Sequence, residues 1–218
     1  MMNKAEKFLS EAERCAVEEQ VTRSEKRTSG EIVVMVAPSS YHYPYAGLLG
    51  STILSLFGGI TVSLVLGREN MWFFLSAFVL LFIVLNELSR RFLPLRRPFI
   101  SRRDMADEVE EAAIKAFYRS GINRTAGHTG ILIYLSLFEH KVRVIADKAI
   151  NDRVGQHQWQ EIVDIITAGF HDRAPGKALC NAVDRCGDIL AEHFPREEGD
   201  VNELPDTILI GGERGKNA

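Results

Sequence analysis

Glu31 to Ala37 reads EIVVMVA, a β-branched run bounded by Gly30 and by Pro38. That pattern predicts a strand, and its unbroken apolarity predicts a strand covered on both faces. One strand cannot be stable alone. The chain continues not with a partner strand but with two apolar blocks. Tyr45–Leu66 reads YAGLLGSTILSLFGGITVSLVL and Met71–Leu85 reads MWFFLSAFVLLFIVL, separated by Gly67-Arg68-Glu69-Asn70. A membrane-spanning helix needs ~20 apolar residues to cross ~30 Å of hydrocarbon. The first block is long enough, and the second is long enough once it continues through Asn86, Glu87 and Leu88. The competing reading is a helical hairpin buried in a soluble core, but soluble helices are rarely apolar all round. A cleaved signal peptide does not fit, because the block lies far into the chain, is too long and is succeeded at once by a second.

The strand must therefore find its neighbours beyond the apolar blocks. Gly130–Leu137 (GILIYLSL) predicts a buried strand, Phe138-Glu139-His140 a turn, and Lys141–Ala146 (KVRVIA) an antiparallel return. Amphipathic helices are expected over 4–27, 102–119, 151–170 and 177–194. Thr28-Ser29-Gly30 ends the first and Pro195 the last. Ser10 to Glu13 resembles a capping box but falls inside the first periodic stretch, so that helix start stays open. The tail is polar except for Leu204 and Thr207–Ile210, which dock or add a short strand. The expected fold is an α/β (α+β) sandwich: a small central mixed sheet flanked by amphipathic helices, interrupted by a two-helix transmembrane hairpin. Residues 1–40 and 102–195 form one split domain, 45–88 the hairpin, 89–101 an Arg-rich juxtamembrane linker, and 196–218 the polar tail.

Charge gives the orientation. The 218-residue chain has 26 Lys+Arg against 29 Asp+Glu, a formal net charge of -3, which excludes a general nucleic-acid binder. Residues 90–103 (RRFLPLRRPFISRR) nevertheless contain six arginines and no acid. The positive-inside rule places this segment, and both termini, in the cytoplasm. The cluster either acts as a topology determinant alone or also meets anionic headgroups. Tyr41, Tyr43, Tyr45 and Trp72 stand where aromatic belts form. Gly47, Ser51, Ser55, Gly59, Ser63 and Gly67 recur every four residues. This small-residue stripe fits close approach of either the second span or another copy of the chain. The three cysteines, Cys15, Cys180 and Cys186, are odd in number and show no metal-ligand spacing; Cys186, on an apolar face with Leu179, Ala182, Val183 and Leu190, is expected to be a reduced core thiol.

Thr28–Val34, the hairpin Thr129–Tyr134 with Val142–Asp147, and Phe170–Leu190 with Gly176 before an amphipathic helix together resemble the TPM domain, the family of thylakoid-lumen phosphatase-like proteins. The similarity spans roughly 5–37 and 102–195, and is to bacterial membrane members in which a transmembrane hairpin splits the domain. It implies a plasma (inner) membrane protein with a central sheet flanked by helices. It also implies acid-phosphatase activity and, in some members, divalent-cation binding by acidic loop residues. The sequence departs from the common pattern. No aspartate stands in Met1–Ala5, Ala126-Gly127-His128-Thr129 replaces an acidic residue and asparagine, and Asp147-Lys148-Ala149-Ile150 replaces a glycine-containing turn.

Asp147 and Asp152 are the candidate metal ligands, since carboxylates at a strand-to-helix junction suit a hard cation such as Ca²⁺ or Mg²⁺. The alternative is helix capping, with Asn151 or Asp152 opening the third helix. His128 and His140 lie at opposite ends of one strand. His157 and His171 lie ~21 Å apart along one helix. The sequence has no phosphate-loop, H-E-x-x-H or G-x-S-x-G motif. Two functions are therefore expected to compete: a cytoplasmic-face interaction or regulatory module, binding the bilayer and another membrane or cytoplasmic protein, and a divalent-metal-dependent phosphatase.

Overall fold

In the computed structural model, which describes residues 5–68, 70–197 and 199–211, the chain opens with α1 (Glu11–Glu25) and β1 (Glu31–Ala37). It continues through α2 (Pro44–Val65), α3 (Met71–Arg91) and a 3-10 turn over Leu93–Phe99 to α4 (Arg102–Arg119). Next come β2 (Gly130–Ser136), β3 (Lys141–Ala146), α5 (Lys148–Asn151), α6 (Gln156–His171), α7 (Pro175–His193) and β4 (Leu209–Ile210). Met1–Lys4, where the resemblance looks for an aspartate, and the tail after Gly211 lie outside the described residues. Two units result, one built from Met1–Ser40 with Ala106–Ala218 and the other from Tyr41–Met105.

The first unit is organised by a four-stranded sheet of order β3-β2-β1-β4. β1 and β2 run parallel from Glu31↔Gly130 to Ala37↔Ser136. β3 returns antiparallel to β2, and β4 lies parallel to β1 at its other edge. β1 thus finds its partner beyond both apolar helices, and the sheet is mixed. Alternation sorts its side chains between two cores. Ile32, Val34, Val36, Ile131, Ile133 and Leu135 pack with the apolar faces of α1, α6 and α7. Val33, Met35, Ala37, Leu132 and Tyr134 pack with Val109, Ala113 and Phe117 of α4 and with Ile122. The continuous apolarity of β1 and β2 results from this double cover.

Two helix boundaries differ from the expectation. α1 begins at the capping box itself: Ser10 Oγ accepts from Glu13 N–H and Glu13 reaches back to Ser10 N–H at 2.9 Å. The apolar residues before it, Ala5 and Leu9, are buried without being helical. The expected helix over 151–170 is two helices, α5 and α6, with Gly155 as the N-cap of the second. Asp152 therefore stands at the C-terminal end of α5 rather than opening a helix.

Gly130 starts β2 against a wall of backbone. A Cβ there would lie 2.4 Å from Ile122 Cγ2 and 2.6 Å from the Ile122 carbonyl oxygen. A carbonyl cannot rotate away as a side chain does. Gly130→Ala is expected to cost about 1–3 kcal/mol, read as a lower thermal midpoint. An unchanged midpoint would show that this contact is not tight.

The second unit is the hairpin of α2 and α3. Gly47, Ser51, Ser55 and Gly59, members of the stripe that fits either the second span or another copy, are buried inside it. A Cβ on Gly59 would meet Phe74 at 3.2 Å, and one on Gly47 would meet Ser89 Oγ at 2.9 Å. Leu48, Leu49, Phe57, Leu64, Leu80 and Ile83 point outward. Both helices are long and apolar enough to cross a membrane. Arg96 is not spread on the surface with the other arginines. It is buried, donating from Nε to the Ser89 carbonyl at 3.0 Å and from Nη1 to the His42 carbonyl. One guanidinium thus joins the chain entering α2 to the chain near the end of α3.

Candidate functional site

Asp147 leaves β3 with its N–H donating to the Gly130 carbonyl at 2.9 Å. Its side chain is 12% exposed. One carboxylate oxygen accepts from Lys148 N–H at 2.7 Å, making Asp147 the N-cap of α5. The other lies 3.3 Å from His128 Nδ1. His128 reaches it from a left-handed backbone conformation, φ 51°. Asn151 ties the same corner, donating to the Ala146 carbonyl at 2.6 Å. Asp152 is exposed at the far end of α5. The four residues of α5 lie between the two aspartates, and five steps of helix set them ~7.5 Å apart along the axis and ~140° around it. The fold therefore brings His128 to Asp147, a pairing that sequence reasoning missed, and turns Asp152 elsewhere. Among the described residues, no group of three or more His, Cys, Asp and Glu side chains is arranged to hold a metal. Capping accounts for the geometry of Asp147. Asp147→Ala is expected to cost about 1 kcal/mol. Asp147→Asn should cost far less, because an amide oxygen still accepts from Lys148 N–H. Equal losses in thermal unfolding would point instead to the carboxylate charge.

A second cluster gathers where the tail folds back. Glu31 Oε1 accepts from Glu203 N–H at 3.0 Å, and the Glu203 carboxylate accepts from Ala126 N–H at 3.1 Å. Asp206 accepts from Thr22 Oγ1 and Asn202 Nδ2, and Glu18 accepts from Ile208 N–H at 3.0 Å. Glu25 accepts from Ile32 N–H at 2.8 Å, while its other oxygen is buried without a hydrogen bond. Burial, with Glu31 and Asp206 nearby, pushes Glu25 up to about 8; burial also raises Glu31. These acids fasten residues 202–208 beside the sheet and set up β4.

At the opposite end of the sheet, beyond the carboxyl ends of β1 and β2, Glu139 is 4% exposed. Its carboxylate accepts from Ser40 N–H at 3.1 Å, from Ser39 Oγ at 3.3 Å and from Ser136 Oγ. Ser40 Oγ donates to Ser136 Oγ at 3.0 Å and lies 3.3 Å from the Tyr134 hydroxyl. A cavity of about 380 Å³ opens there between α4 and the carboxyl ends of the strands. An apolar hollow of about 460 Å³ lies between Phe8, Leu137, Phe170 and Pro175. The three cysteines are free thiols, and burial pushes Cys186 up to about 12, so it is inert at neutral pH.

Residues 99–189 match the family model of the TPM domain. The matched range holds α4, the β2–β3 hairpin and most of α7. β1, which also carries the resemblance, lies outside it. The chain is similar to the NMR structure of the BA42 protein from the psychrophilic bacterium Bizionia argentinensis sp. nov. The TM-score is 0.60 at 22% sequence identity, over 94% of this chain and 96% of that one. At this identity the likeness establishes the fold alone. No curated protein matches the sequence.

Proposed function

From a chain whose residues 99–189 carry a TPM domain, we propose a membrane-anchored interaction or regulatory module. α2 and α3 span the plasma membrane, and the α/β unit stands with both termini on the cytoplasmic face. There it binds another membrane or cytoplasmic protein. The observation that supports this reading is the ladder from Glu31↔Gly130 to Ala37↔Ser136. Two strands adjacent in one sheet are separated in sequence by two helices of spanning length. Two spans return the chain to the side it left, so the ladder and the bilayer are compatible only as a hairpin insertion. The outward apolar side chains of α2 and α3 then meet lipid, while the buried Gly/Ser face gives the close helix contact that association in lipid needs. The arginines of 90–103 set the orientation.

Cys15 is exposed on α1 and serves as a native reporter. A membrane-impermeant maleimide should label it in inside-out vesicles and leave it untouched in intact cells, in a Cys180→Ser background. The reverse pattern would place the α/β unit outside. Crosslinking in native membranes should then recover a specific partner, whereas robust metal-dependent hydrolysis of phosphate esters by the purified chain would count against a non-catalytic role. The competing phosphatase reading uses Asp147 and Asp152. It expects Ca²⁺ or Mg²⁺ to raise the thermal midpoint, and Asp147→Asn to abolish that rise.

A further inference from the structure

We infer that the cavity at the carboxyl ends of β1, β2 and β4 is a binding site for a phosphate group that carries a hydroxylated substituent, a phosphopolyol. The three strands run in one direction. The crevice beyond the carboxyl ends of parallel strands is the usual place for a ligand in an open α/β sheet. Its volume, about 380 Å³, suits a small molecule.

The lining divides into two chemistries. Lys115 and Arg119 lie one turn apart on α4, so they share a face. Arg119 has no ion pair among the described residues. Among the described residues Lys115 pairs with Glu111, at 2.5 Å, and both side chains are well exposed, so that pair is weak and easily exchanged. With the Ser120 hydroxyl they form a donor-rich wall, which selects an anion. The facing wall is different. Ser136 donates to Glu139 and Ser40 donates to Ser136. Ser40 has then used its proton, so the 3.3 Å contact is made by the Tyr134 hydroxyl donating to Ser40. Tyr134 is left offering lone pairs to the cavity. An acceptor opposite two cations suits a ligand with phosphate at one end and an O–H donor at the other. Bare phosphate satisfies only the first wall. Glu139 positions this relay through Ser39, Ser40 and Ser136 and is not among the residues lining the cavity.

Such a group comes from a phospholipid headgroup of the glycerol type or from a soluble phosphopolyol. Ser40 stands four residues before Pro44, the first residue of α2, which gives the lipid source its place in the test. The full chain is reconstituted in phosphatidylcholine nanodiscs and titrated with sn-glycerol 3-phosphate and with inorganic phosphate by calorimetry. Glycerol phosphate should bind with a Kd of ~1 mM or below. Arg119→Gln with Lys115→Gln should weaken both ligands at least ~tenfold, the loss expected for charge-assisted hydrogen bonds. Tyr134→Phe should weaken glycerol phosphate several-fold and leave inorganic phosphate unchanged. That separation is one that a general loss of folding cannot produce. If the headgroup is the resident ligand, phosphatidylglycerol in the nanodisc suppresses glycerol phosphate binding; if the ligand is soluble, it does not. Absence of binding at ~10 mM, or binding that survives the Lys115/Arg119 double change, overturns the site. The membrane orientation is read separately by Cys15 labelling, so either conclusion can fail without the other.

Discussion

Excising residues 41–101 and joining Ser40 to Arg102 through a flexible linker of about six residues, the usual length for a strand-to-helix connection, is expected to yield a protein that needs no detergent. It should elute as a discrete species and unfold cooperatively by circular dichroism with mixed α/β signal. The reason lies in the two cores of the sheet. Ile32, Val34 and Val36 are covered by α1, α6 and α7, and Val33 and Met35 by α4. Among the described residues, neither core draws a side chain from α2 or α3. The untreated chain should sediment with membranes and resist alkaline extraction. Aggregation of the excised protein, or a broad non-cooperative melt, would show that the apolar helices belong to a soluble core after all.

The second large effect is a dependence on pH set by Glu25. In the unfolded chain its carboxyl titrates near 4.5; in the folded chain it is held up to about 8. Between those values the folded state keeps a proton that the unfolded state has released, so stability falls as pH rises. The contribution is fully present below about 4.5 and is lost as pH climbs through about 8. At ~1.4 kcal/mol per unit the total is on the order of a few kcal/mol. Glu31 shifts in the same direction, so it adds to the slope. Glu25→Gln keeps an oxygen for Ile32 N–H and gives the buried second position a donor facing Glu31 and Asp206. The variant should be more stable than the parent at pH 8 and should show a shallower decline from pH 5. Thermal unfolding of the full chain in neutral micelles across that range reads both. A flat profile in the parent, or an unchanged slope in the variant, would remove Glu25 as the cause.

Much of this fold is legible in the sequence because it rests on local pattern. Glu31–Ala37 and Lys141–Ala146 are marked by β-branched runs between breakers. α4 over 102–119 is marked by Met105, Val109, Ala112, Ala113, Ala116 and Phe117 at helical spacing. The failures also have local causes. Ile150 and Val154 are both buried and four apart, which imitates one continuous helix. The break is made by Gly155 and by the cap at Asp147, which periodicity does not register. At α1 the capping box is visible, but apolar residues before it extend the apparent pattern. The sites are hard to read for a different reason. Glu25 meets Asp206, Ser40 meets Glu139 and His128 meets Asp147 across long stretches of chain, and no spacing rule links such residues. Arg96 is similar: one arginine among six is chosen by the geometry of two helix ends, not by its neighbours in sequence.

The pairing of 31–37 with 130–136 also governs how the protein is made. A ribosome releases β1 first, then both apolar helices, and only afterwards the strand that completes the ladder. At ~5–20 residues per second the wait is on the order of 5–20 s. Throughout that interval a nascent, apolar strand has open edges while the insertion machinery handles the later segments. Its shielding during translation, by a chaperone or by the translocation channel itself, is therefore a requirement of this topology.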